Sequence, residues 1–158
     1  MNTMERLVYL RRNKVVGRLA REIMLLYGLD IPPGVHIGPG LILQHRGMGT
    51  VIHPLTIIES NVTIYHQVTI GRLDAFRPYT SSDMQTIEIG AGAILFPGAK
   101  ILGGPGLTRI GARAIVGANS VVTASVPDDE VWAGSPARRV SRRSAQGHSG
   151  GSQLVPCV

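Results

Sequence analysis

The sequence predicts a mainly β protein wound as a parallel solenoid, and three observations carry that prediction. An aliphatic residue recurs every six positions, a glycine follows many of these residues, and the core has to be built almost without aromatic side chains. Of 158 residues 44% are hydrophobic but only 4% are aromatic. The length fits one domain with a real interior. Twenty glycines and ten prolines are spread along the chain without a low-complexity tract, as turns at regular intervals require.

The period can be followed residue by residue. Ile31, Ile37 and Leu43 begin it; Ile52, Ile58, Ile64 and Ile70 continue; then come Ile89, Leu95 and Ile101, and last Ile110, Val116 and Val122. The steps from 43 to 52 and from 101 to 110 are six plus three, and the step from 70 to 89 is eighteen plus one, so each reads as an insertion at a turn. A period of six is neither the 3.6 of a helix nor a plain alternation of two. It suits a short strand with its corner, one side chain pointing inward per unit. Three units close a triangular coil, and coils stack at the strand spacing of about 4.8 Å.

A solenoid needs its ends covered. The segment from Met4 to Tyr27 is expected to form one helix, with Val8, Val15, Val16, Leu19, Ile23 and Leu26 on its apolar side and Arg11, Lys14, Arg18 and Arg21 turned away. Gly28 is its expected stop. The resulting division is an N-terminal helix over 1–28, the β-solenoid over 29–140, and a Ser- and Gly-rich tail over 141–158 expected to be disordered.

Composition narrows the partners. A net charge of +6 suits a polyanionic ligand, nucleic acid or anionic lipid. The absence of zinc spacing, of an RNA-binding signature and of stacking aromatics argues against nucleic acid. Cys157 is the single cysteine and has no partner for an internal disulfide, in keeping with a reducing compartment. No apolar run approaches the roughly 20 residues of a membrane span, so a cytoplasmic chain is expected. His36, His53 and His66 read first as turn residues, with the acceptor cleft as the alternative place for His53 and His66, and with no carboxylate or cysteine at usable spacing they make no metal site.

His45 stands out because it ends the apolar run "GLILQH" just ahead of a glycine-broken stretch.

Four stretches, "LDIPPGVHIGPGLILQH", "IIESNVTIYHQVTIG", "IGAGAILFPGAKILGG" and "GANSVVTASVPDDEVWAGSPARRV", resemble the serine O-acetyltransferases among the hexapeptide-repeat acyltransferases, over Leu29 to Val140. The resemblance implies a left-handed parallel β-helix with acetyl-CoA as cosubstrate. It implies His45 as general base, Asp30 as its orienting carboxylate, and direct acetyl transfer to a small-molecule hydroxyl; the fifteen residues between the two, against about eighteen per coil, return the chain to nearly the same corner one layer up. It also implies that the pantetheine arm runs near Gly71, Ala91, Gly92 and Ala118, and that the nucleotide end lies near Ala133, Ser135, Pro136 and Arg138. A homotrimer with its active site at the subunit seam completes the implication.

Three departures bear on the acceptor. Gln44 stands where the family places an aspartate before the histidine. An Arg-His pair expected after "VTIG" is replaced by a loop in which Arg72 and Arg77 are the candidates. "HRGMG" is one residue longer than the family's usual element. These changes favour a less charged acceptor, so serine and a sugar or secondary-metabolite hydroxyl both stand as substrates. A non-catalytic β-helix scaffold is the rival from another class.

Overall fold

The computed structural model describes residues 1–143, the side chain of Tyr79 aside. The expected tail from 144 onward, Cys157 with it, lies outside the described residues.

Two helices open the chain, α1 (Thr3–Leu10) and α2 (Gly17–Leu26). Four coils follow. The first holds β1 (His36–Ile37), β2 (Ile42–Leu43) and β3 (Val51–Ile52). The second holds β4 (Thr56–Ile58), β5 (Thr63–Ile64) and β6 (Thr69–Arg72). The third holds β7 (Met84–Ile89), β8 (Ile94–Leu95) and β9 (Lys100–Gly103). The fourth holds β10 (Gly106–Ile110), β11 (Ile115–Val116) and β12 (Val121–Val122), and a hairpin of β13 (Glu130–Gly134) and β14 (Ala137–Arg142) closes the chain. The strands form three faces of a prism: β1-β4-β7-β10, then β2-β5-β8-β11-β13-β14, then β3-β6-β9-β12. All pairings between them are parallel except β13 with β14.

The six-residue period becomes three vertical ladders. Ile37, Ile58, Ile89 and Ile110 stack in register on the first face. Leu43, Ile64, Leu95 and Val116 stack on the second, and Ile52, Ile70, Ile101 and Val122 on the third. Apart from half-buried Ile37, these side chains are sealed from solvent. A second inward residue precedes each by two positions: Val35, Thr56, Ile87 and Thr108; Leu41, Val62, Ala93 and Ala114; Thr50, Val68, Ala99 and Ser120, all buried. Backbone N–H groups bond to the coil above or below, as in Ile42 N to Val62 O at 2.9 Å and Thr63 N to Ala93 O at 2.9 Å, so the interior carries few orphan polar groups.

The N-terminal end differs from expectation. The chain does not run as one helix but breaks after Leu10, where the Asn13 side chain accepts from the backbone N–H of Val15 (2.8 Å) and Val16 (3.2 Å). Such a local side-chain bond competes with helix propagation. The break rotates the second helix, so its buried residues are Gly17, Ala20 and Met24. Val15, Val16, Leu19 and Leu26, expected inside, are exposed. Gly28 follows α2 with φ +70°, a conformation suited to glycine at a helix end. Arg11, expected in solvent, is buried. Its guanidinium donates to the carbonyls of Val8, Val35 and Pro32, and burial, aided by Arg12, lowers its pKa to about 10. Glu5, also buried, caps α1 with Asn2 and accepts the backbone N–H of Leu43 at 3.0 Å. This bond ties α1 to the strand that leads into His45.

At the other end the hairpin covers the last coil. Ser141, assigned to the tail on sequence, lies in β14 opposite Val131. Asp128 accepts from Arg109 Nη1 (2.7 Å) and Ala112 N (2.9 Å), while Asp129 pairs with Arg113 at 2.7 Å and 2.5 Å. Both carboxyls are thereby held below their ordinary 3.8, chiefly by these arginine hydrogen bonds.

Two outcomes follow from this packing. Ile89→Ala lowers stability by about 2–5 kcal/mol in urea unfolding, since the stacked neighbours above and below hold the cavity open. The unfolded chain binds more protons than the folded one around the lowered carboxyls, so their contribution is full at neutral pH and is lost as pH falls below about 5. Asp128→Asn flattens that acid limb in melting temperatures measured against pH.

Candidate active site

The prism has three edges, and the outward residues at each corner are set by which face has just ended. Chain leaving the second face for the third turns through Gln44–Gly47 in the first coil, Tyr65–Gln67 in the second, Phe96–Gly98 in the third and Gly117–Asn119 in the fourth. Above them Ala133, Gly134 and Ser135 occupy the same edge, Trp132 being in register with Val116. The corners turn through positive φ: His45 (51°), Arg46 (61°), Gln67 (58°), Gly98 (71°) and Asn119 (53°). A side chain on Gly98 would meet Asn119 Oδ1 at 2.1 Å, so Asn119 would have to shift to admit one, and the φ of 71° there suits glycine.

His45 is exposed at the base of this edge. Its ring meets that of His66, one coil up, edge to face at 5.0 Å and 88°. Tyr65 lies 6.4 Å away and stacks on Phe96 at 5.2 Å with 9° between planes. Of the two places open to His66 on sequence, a surface turn and the cleft, the structure puts its ring beside His45. Nδ1 of His66 is buried and has no hydrogen-bond partner among the described residues. Phe96 was legible in principle, because it directly follows an inward ladder residue, Leu95, just as Gln44 follows Leu43 and Tyr65 follows Ile64.

Asp30 lies where the spacing places it, bridged to Val51 at the start of the third face. Its carboxylate is not bonded to His45. It faces Arg21 Nη2 at 3.6 Å, because the break in the N-terminal helix turns Arg21 toward the solenoid. The expected contact of carboxylate and imidazole is therefore replaced here by a contact between two imidazoles.

The remaining candidates divide among the edges. Ala118, Ala133, Ser135 and Pro136 share the edge of His45, and Arg138 begins the return strand opposite Ala133. Ala91 and Gly92 do not: they form the corner between the first and second faces, where Ala91 N donates to Glu59 Oε2 at 2.9 Å. The third-coil residues on the His45 edge are Phe96, Pro97 and Gly98. Gly71, Arg72 and Arg77 sit across the third face, at its far end. Open space surrounds the position a Gly71 side chain would take. Arg72 reaches Asp74 Oδ1 at 3.6 Å and the Arg77 carbonyl at 2.9 Å, and the Arg77 guanidinium lies 5.6 Å over Phe76. His53, below them, has its pKa lowered by burial and by Arg72. Gln44 remains beside His45, exposed. The described residues include no group of acidic, histidine or cysteine side chains able to hold a metal, and no helix is long and apolar enough to cross a membrane.

Small residues thus line the upper part of one edge, with a histidine at its foot. Four layers of about 4.8 Å, roughly 19 Å, separate His45 from Ala133. That length and shape suit an extended amide-bearing arm hydrogen-bonded along a strand edge. Coils of three strands with an aliphatic ladder on every face define a hexapeptide-repeat β-helix.

No protein-family model matches the chain. Among curated proteins, the serine acetyltransferase of Staphylococcus xylosus is 36% identical over 136 residues, 85% of this chain and 59% of the relative. That of Helicobacter pylori strain 26695 is 35% identical over 129 residues, 82% of this chain and 68% of the relative. The chain belongs to the serine acetyltransferase family. Crystal structures agree: the Neisseria gonorrhoeae serine acetyltransferase superposes with a TM-score of 0.75 at 27% identity, covering 90% of this chain and 55% of that one. The Brucella abortus serine acetyltransferase in complex with coenzyme A gives 0.72 at 29%, covering 91% and 55%. The fold is the left-handed parallel β-helix of these structures. The chain spans 59% of the Staphylococcus relative and little more than half of either solved structure.

Proposed function

We propose that this chain is an acetyl-CoA-dependent O-acetyltransferase. The observation that carries the reading is the single edge on which a histidine with an exposed ring lies below a column of glycine and alanine corners. Serine is the acceptor named for the relatives, and a coenzyme A complex is known for one of them.

In this reading His45 acts as general base. A neutral imidazole takes the proton of the acceptor hydroxyl as that oxygen attacks the thioester carbonyl. The carbon–sulfur bond then breaks, and the imidazolium returns its proton to the departing sulfur. Proton and acetyl group are both accounted for without a covalent acyl-enzyme. Asp30 enters the third face beside Val51; exchange of its Arg21 contact for the imidazole would hold one tautomer and favour the imidazolium. Gly117, Ala118 and Ala133 leave room for the pantetheine arm, and Arg138 offers a planar cation to phosphate at the upper end.

The division of candidates among edges supports a trimeric assembly with the site at the seam. One prism does not bring Gly71, Arg72 and Arg77 to its own His45, so a role for them beside that base requires the third-face end of a neighbouring copy. In the same way Ala91 and Gly92 have a role only through a neighbour.

His45→Ala is expected to lower kcat by roughly 10²–10⁴-fold in thiol release from acetyl-CoA, with an unchanged melting temperature. Near-normal turnover would remove the base from the mechanism. Light scattering is expected to give three times the 16.9 kDa chain mass, and a fully active monomer would refute the seam.

A further inference from the structure

The interior of the solenoid is sealed, but the outward side of α2 is not. Leu19 and Leu26, seven residues apart, project in nearly the same direction, opposite the side on which Gly17, Ala20 and Met24 are buried. They are 64% and 86% exposed. Val15 and Val16 in the turn before the helix (88% and 42%) and Tyr27 just after it (46%) are also open. A single exposed leucine is ordinary. Five large apolar side chains within thirteen residues form a patch, and a patch of that kind marks a contact surface.

The segment that carries the patch is basic. Arg6, Arg12, Lys14 and Arg18 are exposed, and Glu22 is the one exposed acid in residues 1–28. Glu5 is buried, and Arg21 faces Asp30. Arg18 lies in the first turn of α2 and Lys14 just ahead of it, where the helix has neither an acidic residue nor a side-chain cap. Cations there oppose the positive end of the helix dipole. An anion outside the chain would offset that cost.

The chemistry of the patch selects its occupant. A second copy seated face to face would set these cations against their equals. A soluble partner would need a groove shaped to the convex side of a single helix. A bilayer containing anionic lipid needs no such groove: aliphatic side chains enter the acyl boundary, cations stay among the headgroups, and a tyrosine sits at the interface between them. No described helix is long and apolar enough to cross a membrane, so the contact is made by a helix lying along the surface. We infer that α2 and the turn before it form a docking surface for an anionic lipid bilayer. The inference depends neither on His45 nor on the acceptor.

The test is co-sedimentation of the full chain, in low salt, with vesicles of phosphatidylcholine alone or of phosphatidylcholine and phosphatidylglycerol in equal parts. The expected result is a partition coefficient roughly tenfold or more higher on the phosphatidylglycerol vesicles. Leu19→Glu with Leu26→Glu is expected to lower that value by roughly tenfold or more. Lys14→Ala with Arg18→Ala lowers it roughly twenty-five-fold, at about fivefold for each cation near the surface. Both α2 variants keep the melting temperature of the parent chain. Arg142→Ala with Arg143→Ala, which removes two exposed cations at the opposite end of the prism, leaves binding unchanged. Equal binding to both kinds of vesicle, or binding to neither, overturns the inference. So does phosphatidylglycerol binding that survives the leucine changes and is lost with Arg142 and Arg143. A particle that shrinks in light scattering when Leu19 and Leu26 are changed, from a parent chain that binds no vesicles, overturns it too and assigns the face to a second copy.

Discussion

Stacking of like on like in the three aliphatic ladders is the constraint from which the rest of the molecule follows. Each inward Ile, Leu or Val touches its counterpart one layer away, with the backbone between them committed to hydrogen bonds along the prism axis. A residue inserted within a face would break a ladder and leave backbone groups unpaired in the interior, where each costs about 1–3 kcal/mol. Insertions are therefore confined to corners. They occur at 44–50 and in the longer excursions after β6 and β9. Chemistry is confined with them, since side chains on the faces are either inside or spread flat on the surface. The extra residues around His45 are thus where the fold tolerates an irregular turn.

The ladders were readable because their residues are all aliphatic and keep a fixed beat. The second inward set was not, since Val35, Thr56, Ala93 and Ser120 share size and position rather than hydrophobicity. The helix break had a small signal, Asn13, hidden within an apolar pattern that runs on unbroken through Val15 and Val16. With that break Arg21 faces Asp30, where His45 was the expected partner. Ala91 and Gly92 lie on a different edge from His45 for a geometric reason. A shift of six residues along a β-helix moves to the next face of the same layer, while a full coil is needed to move up one layer on the same edge. "GAGA" and "FPGA" are similar in small-residue content and lie one face apart, so only one of them shares an edge with His45.

The edge as a whole shows how a repeating fold acquires direction. Corner residues change from an amide and imidazoles at the foot, through two stacked rings, to glycine and alanine at the top. Nothing in the ladder behind them changes correspondingly. The interior is nearly periodic while the outer corner is graded, which allows polar chemistry at one level and close backbone approach at another without any adjustment of the core. Arg46 and Lys100 add positive potential near the foot, and Arg138 and Arg139 add it near the top.

The capped ends have a different consequence. A stack of parallel strands exposes, at each terminus, a row of unpaired peptide groups on which another stack is able to grow. At one terminus the buried guanidinium of Arg11 occupies the carbonyls of Val35 and Pro32. At the other, β14 runs antiparallel to β13 and carries Arg138, Arg139 and Arg142 outward. A fixed charge at the start and a reversed strand at the finish thereby replace the matching parallel edges that a second prism would need for head-to-tail growth.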